Sequence, residues 1–261
     1  MARLLVLGQS GAGKSWALGA LIERVLDSEH PEHPDETFDF AVHFDPEDEE
    51  RGLSDQDNRP LLGTYPVDVQ KARATNWQML IAKHKRLRVV PDMGADNMGQ
   101  LFGTICQAAF RLCKDRLPKK TCLLSCDESG QIVTQHGAHD AALTIQTRGR
   151  KYGVETIHSA QRPQQLHTTL LSQTDRRLYF RIKDSNALRQ IDKQAGFNVS
   201  RVPVDSGLLG PRDGLADLPD RTVVLENVDS GDIAVESTED WTRLRNHYSG
   251  DDGTLDSALS V

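Results

Sequence analysis

The chain has 261 residues, 38% apolar and 26% charged, enough to bury the core of one large domain or two small ones. No apolar run approaches the roughly 18–20 residues that span a bilayer, which excludes a transmembrane helix. The formal charge of −7 argues at first against a polyanionic partner, but it is unevenly spread. Residues 1–110 carry 11 Lys and Arg against 17 Asp and Glu, residues 111–203 carry 16 against 8, and residues 204–261 carry 4 against 13. A basic middle of net +8 therefore lies between two acidic flanks, the pattern of a folded protein with one positive face. Four cysteines without a CxxC spacing are too few for a disulfide framework and read as buried thiols in a reducing cytoplasm. A cleaved leader would remove the glycine motif that begins at Gly8, so secretion is not expected.

In chain order, residues 3–7 (RLLVL) predict a short buried strand, and residues 14–26 a helix with Trp16, Leu18, Leu21, Ile22 and Val25 on one side. A proline-containing loop over 30–37 leads to a second strand at 38–44, and a polar stretch follows over 45–59. Residues 77–83 read as helix, 86–90 as a strand closed by Pro91, and 96–114 as a strong amphipathic helix. Further strands are predicted at 121–126, 154–160 and 177–182, with helices at 141–152, 166–172 and 186–195. An irregular Pro- and Gly-rich stretch over 202–220 precedes a closing hairpin, 221–226 and 232–236. From residue 249 the sequence is an acidic tail expected to fray. Strands alternating with helices predict an α/β domain with a mainly parallel sheet.

Gly8-Gln9-Ser10-Gly11-Ala12-Gly13-Lys14-Ser15 matches G-x4-G-K-[ST] at every fixed position, between a buried strand and an amphipathic helix. This is a P-loop. Its glycines let successive N–H groups turn inward on phosphate oxygens, and the helix amino terminus adds positive potential. The cradle comprises Gly8, Ser10, Gly11, Ala12, Gly13, Lys14 and Ser15, with Lys14 reaching the β- and γ-phosphates of ATP and Ser15 ligating Mg2+.

Such a site needs an acid at the tip of a neighbouring buried strand, and Asp127-Glu128 after 121–126 supplies it. Asp127 is expected to order the metal's waters and Glu128 to polarise the attacking water as general base. That pair favours hydrolysis over transfer to a small substrate. The strand at 154–160 ends in Gln161-Arg162-Pro163, which puts an amide where it could bond the γ-phosphate or the water.

The ordered set GQSGAGKS, LLSCDES and TRGRKYGVETIHSAQRP resembles the HerA/FtsK superfamily of ring-forming P-loop ATPases, most specifically over residues 147–163. The similarity covers most of residues 1–240 and is weak between about 50 and 95. It implies a RecA-like, additional-strand, catalytic-glutamate α/β domain: a mainly parallel central sheet flanked by helices and closed by a C-terminal β-hairpin. By position it assigns Lys14 and Ser15 to the first nucleotide motif, Asp127 and Glu128 to the second, and Gln161 to the sensor. It further implies a homo-oligomeric ring, expected to be a hexamer, in which Arg150, or second Arg148, completes the neighbour's site. Both arginines also fit an ordinary solvated or DNA-facing basic turn.

With the P-loop at residue 8 and only an acidic tail after 248, residues 1–248 are expected to be one motor domain and 249–261 a flexible tail. Such trimmed versions are typical of the genome-packaging ATPases of icosahedral viruses with an internal membrane. The resemblance thus implies an ATP-driven translocase of double-stranded DNA, working without base recognition in the host cytoplasm or virion. Capsid or membrane proteins at a packaging vertex would be its docking partners. The same engine could serve plasmid transfer or repair, or, as in the phage-assembly branch, move protein. Lys83, Lys85, Arg86 and Arg88, and Lys119-Lys120, are candidate DNA contacts that fit a solvated surface equally well. Asp45, at the end of the second strand, either faces the nucleotide or caps a turn. His30, His33, His136 and His139 read as loop histidines with no metal role.

Overall fold

The computed structural model describes residues 3–33, 38–56, 59–203 and 207–247. The tail and its expected boundary at 248 lie outside the described residues. In chain order the elements are β1 (Leu4–Leu7), α1 (Lys14–Leu26), β2 (Phe40–Phe44), β3 (Gly63–Val67), α2 (Val69–Ala74), α3 (Trp77–His84), β4 (Arg86–Pro91), α4 (Ala95–Arg111), β5 (Cys122–Cys126), α5 (Ser129–Ile132), α6 (Asp140–Arg148), β6 (Val154–Ala160), α7 (Thr168–Ser172), β7 (Arg176–Tyr179), α8 (Ser185–Asp192), β8 (Thr222–Asn227) and β9 (Ile233–Ser237).

The described strands form one nine-stranded sheet in the order β3-β4-β2-β5-β6-β1-β7-β8-β9. From β3 to β7 the strands run parallel; β8 is antiparallel to β7, and β9 to β8. The expected α/β sheet with a closing hairpin is therefore the fold. β1 lies between β6 and β7, and β5 on the far side of β6, so the carboxyl ends of β1, β5 and β6 share one edge. Open parallel sheets bind ligands at that edge.

Side chains alternate across the central strands, and both faces are covered. Leu5, Leu7, Val42, Phe44 and Leu124 pack with Trp77, Ile81, Phe102, Ile105 and Ile145 from the helices of one layer. Leu4, Val6, Ala41, Leu123 and Ile157 pack with Ala17, Leu18, Ile22 and Val25 of α1 on the other. Burial on both faces is why these strands read as unbroken apolar runs. Each fully buried Leu, Ile or Phe contributes about 1.5–3 kcal/mol.

Three elements escape the sequence pattern: β3, α2 and the four-residue α5, too short to show a period. β3 is the sheet edge, largely exposed, and carries Pro66; an edge strand tolerates a residue that has no N–H to donate. α2 buries no residue, so it shows no apolar stripe. The predicted helix over 96–114 ends as an α-helix at Arg111 and continues as a π-helical turn over Leu112–Arg116. The helical pattern over 141–152 likewise tightens into a 3-10 turn at Gly149–Tyr152.

Candidate active site

β1 delivers the chain to the P-loop. A side chain at Gly8 would put its Cβ 2.6 Å from the Cβ of Phe180, so the close approach of the two backbones admits only glycine there. Gly13, at φ 99°, caps α1 in the left-handed region and turns the chain into the helix. No side chain caps that helix, which leaves its leading N–H groups open to phosphate oxygens. Lys14 is 3% exposed and its Nζ donates to the Gln9 carbonyl at 3.3 Å. Burial lowers its pKa, while the nearby carboxylates of Glu128, Asp127 and Glu49 oppose the shift.

Asp127 leaves β5 completely buried. Its Oδ1 accepts from the Glu128 N–H at 2.9 Å and from the Ser159 hydroxyl. Burial pushes its pKa up to about 7; the Ser159 bond opposes this and the Glu128 charge adds to it. Oδ2 is buried with no hydrogen-bond partner among the described residues. An orphaned carboxylate oxygen whose charge reaches the P-loop at Lys14, with the Ser15 hydroxyl lining the cleft, gives hard oxygen donors of the kind Mg2+ takes, so these residues fit that ion.

Glu128 is 6% exposed and sits at φ 47°, an uncommon conformation for a residue with a side chain. Gln161, following β6, donates from Nε2 to its Oε1 at 2.7 Å. Burial raises the Glu128 pKa, and Lys14 and then the Gln161 bond pull it down. The next residue anchors the turn: Ser129 Oγ donates to the Cys126 carbonyl at 3.0 Å and lies 2.8 Å from Nδ1 of His158. With the single hydroxyl proton committed, Nδ1 of His158 is the donor of the second bond. Burial lowers the His158 pKa to about 4, so the ring is neutral at pH 7.

Asp45 caps a turn. Its Oδ1 and Oδ2 accept from the N–H groups of Glu49 (3.2 Å) and Glu50 (3.0 Å). Arg88 bonds Asp45 at 2.7 Å, Asp48 at 2.6 Å and Ser54 at 3.1 Å. This locks the acidic loop over 45–50 so that Glu49 lines the cleft. Arg88 is 4% exposed, which removes it from the candidate DNA contacts. Lys120 is tied to Asp39 at 2.6 Å. His30 is buried and bonds the Thr242 carbonyl through Nε2, a structural role not visible in its loop-like sequence.

A cleft of about 700 Å³ runs over Ser10 to Trp16 and is lined also by Glu49 and Gln161. Its other wall is Asp220, Arg221, Thr238, Glu239 and His247, which motif spacing does not reveal because they come from the closing hairpin and the segment after it. That segment, residues 241–247, lies against α1. Arg243 bonds Glu50 at 2.7 Å and the Trp16 carbonyl at 2.8 Å, and Arg245 bonds Asp27 at 2.9 Å. Glu23 and Glu50 are both fully buried beneath it.

The structure thus brings together Gly8, Ser10, Gly11, Ala12, Gly13, Lys14, Ser15, Asp127, Glu128 and Gln161 at one edge of the sheet. Arg148 and Arg150 are not there. Both are exposed in the segment that precedes β6, at the opposite edge. Arg150 acts electrostatically on Asp175, just before β7, and far from its own P-loop.

Structure comparison finds the genome packaging NTPase B204 of Sulfolobus turreted icosahedral virus 2, in complex with AMPPCP, at TM-score 0.60 and 19% identity, covering 90% of this chain and 96% of that one. B204 of Sulfolobus turreted icosahedral virus, a DNA-packaging ATPase, is similar at TM-score 0.57 and 16% identity over 90% and 96% of the two chains. A further structure, an ATPase, matches at TM-score 0.52 and 14% identity over 93% and 82%. No protein-family model matches the sequence, and no curated protein does. The chain has the α/β P-loop NTPase fold of these proteins, in line with the resemblance drawn from its motifs.

Proposed function

We propose that the chain hydrolyses ATP to drive double-stranded DNA, without base recognition, into a preformed viral capsid, as a homo-oligomeric ring. The observation that carries the catalytic half is the convergence of Lys14, Asp127, Glu128 and Gln161 beside an uncapped helix amino terminus, with Gln161 bonded to Glu128 at 2.7 Å. The phosphates of ATP lie on the N–H groups of residues 11–15, and Lys14 takes the β- and γ-phosphates. Ser15 would ligate Mg2+, and Asp127, with its orphaned Oδ2, would order the waters of that ion. That ion, when bound, neutralises charge on the transferring phosphoryl group. Glu128 accepts the proton of the attacking water as its oxygen bonds the γ-phosphorus and the bond to ADP breaks. Gln161 aims that carboxylate and the water.

Two observations support the translocase half. The first is the fold shared with B204, a genome packaging NTPase. The second is charge placement: Lys85, Lys119, Arg148, Arg150 and Lys151 precede parallel strands at one sheet edge. The opposite edge carries the acidic loop over 45–50, Asp127 and Glu128. A head-to-tail ring sets the basic edge of one protomer against the phosphate site of the next. Arg150, or else Arg148, then stabilises charge on the neighbour's γ-phosphate. In infected cells the ring works in the host cytoplasm at a capsid or membrane vertex. Among the described residues no helix is long and apolar enough to cross a membrane.

The test is ATP turnover with and without duplex DNA at several salt concentrations. Stimulation that fades as salt rises is expected. Turnover indifferent to DNA at low salt contradicts the translocase and favours a motor that moves protein.

A further inference from the structure

We infer that the end of the closing hairpin is the base-and-ribose clamp of the nucleotide site, with Arg221 stacked on the base and Glu239 accepting from ribose. This rests on the ATP reading above and assigns the half of the cleft that the motifs leave unexplained.

The P-loop fixes where phosphates sit, so the nucleoside must occupy the rest of the same cleft, against Arg221, Thr238 and Glu239. Topology explains why these residues are there. β8 runs antiparallel to β7, so its beginning lies at the edge where β7 ends, beside the P-loop. β9 turns back and finishes at that edge, with Ser237 opposite Thr222. Residues just before β8 and just after β9 are thereby joined. The Thr238 N–H donates to the Arg221 carbonyl at 2.7 Å and its hydroxyl donates to the same oxygen at 3.0 Å.

The side chains that face the cleft suit a nucleoside better than they suit the fold. Arg221 holds φ 59°, in the left-handed region that a residue with a side chain seldom adopts. The guanidinium meets Glu239 at 3.4 Å, with the two side chains 66% and 65% exposed, a pair that adds little stability. A planar guanidinium tethered at a cleft wall stacks on any base. Arg181 holds Asp220 at 2.6 Å, whereas Arg221 meets Glu239 only at 3.4 Å and through one oxygen, so Glu239 is the carboxylate with acceptor capacity left for a ribose hydroxyl. Thr238 has spent its hydroxyl proton on Arg221. Gln161, the one side-chain amide lining the cleft among the described residues, is bonded to Glu128 and not offered to a base edge. The clamp therefore selects for ribonucleotides and against lone polyphosphate, and it accepts ATP and GTP alike.

The test titrates the full chain, Arg221→Ala and Glu239→Gln with ATP, GTP, 2′,3′-dideoxyATP and inorganic tripolyphosphate. Arg221→Ala is expected to weaken ATP and GTP together by about ten-fold while tripolyphosphate binds as before. Glu239→Gln is expected to weaken ATP by about five-fold and to leave dideoxyATP untouched. Equal losses for ATP and tripolyphosphate in Arg221→Ala, or for ATP and dideoxyATP in Glu239→Gln, overturn the clamp. A wild-type chain that binds neither ATP nor tripolyphosphate overturns the ATP reading and the clamp with it.

Discussion

The amide of Gln161 donates to the carboxylate of Glu128 across 2.7 Å, from the end of β6 to the residue that follows Asp127 after β5. Two adjacent parallel strands thus end in a bonded pair beside the phosphate cradle. The bond fixes the carboxylate and holds its pKa down against burial. Removing it has a signature that loss of packing lacks. Gln161→Ala should lower kcat by about 10²-fold with little change in ATP affinity. It should also move the acid limb of the kcat–pH profile upward, because burial then acts on Glu128 unopposed by the amide. A profile that stays in place, whatever the rate, would show that Gln161 does not act through Glu128.

The segment over 241–247 supports α1 from behind through buried charge. Arg243 lies between Glu50 at 2.7 Å and Glu23 at 3.8 Å, and both acids are fully buried. Removing Arg243 takes from Glu50 its nearest cation and leaves Glu23 to the Leu244 N–H at 2.5 Å and to Arg245 at 3.8 Å, so Arg243→Ala should cost about 3 kcal/mol in denaturant unfolding. Adding Glu50→Gln should recover part of that loss. Additive losses in the double variant would contradict the pairing.

Arg150 should behave in the opposite way. It is exposed and lies at the far sheet edge, so Arg150→Ala should leave the unfolding midpoint unchanged. As a finger supplied in trans it should lower kcat by about 10³-fold or more. Mixed assemblies with catalytically dead subunits that retain Arg150 should recover activity. Absence of rescue would place its role elsewhere, and the same experiment on Arg148→Ala tests the second candidate.

The buried imidazole of His158 makes stability depend on pH. Its pKa falls from 6.5 in the unfolded chain to about 4 in the fold, because burial disfavours the cation. Stability is therefore complete above about pH 6.5 and declines as pH falls toward 4, where only the unfolded state takes up the proton. The loss from this group amounts to about 3 kcal/mol at most. Denaturant titrations at pH 7 and pH 4.5 should show the gap shrinking in His158→Gln. An identical pH slope in that variant would contradict the assignment.

Motifs made the phosphate side of the site legible because P-loop chemistry constrains neighbouring residues: one glycine to meet Phe180, another to reach φ 99°, and acids at a strand tip. The central strands were legible because burial on both faces leaves apolar runs. What stayed hidden depends on distant partners. Arg88 looks like a surface cation in a basic cluster, yet Asp45 and Asp48, some 40 positions away, bury it. Glu23 and Glu50 look like ordinary helix and loop acids until Arg243 reaches them from the far end of the chain. β3 carries Pro66 and buries only Val67, so an exposed edge strand left no pattern to read. The wall at Arg221 and Glu239 was invisible because a hairpin's two ends meet only in space.

Single-turnover hydrolysis by Glu128→Gln, with ATP binding measured on the same sample, tests the central claim most directly. The carboxamide keeps the shape and the neighbourhood of Gln161 but cannot accept the water's proton. Binding should persist while hydrolysis falls by about 10²–10⁴-fold. Hydrolysis at the unmodified rate with ATP bound would contradict the account.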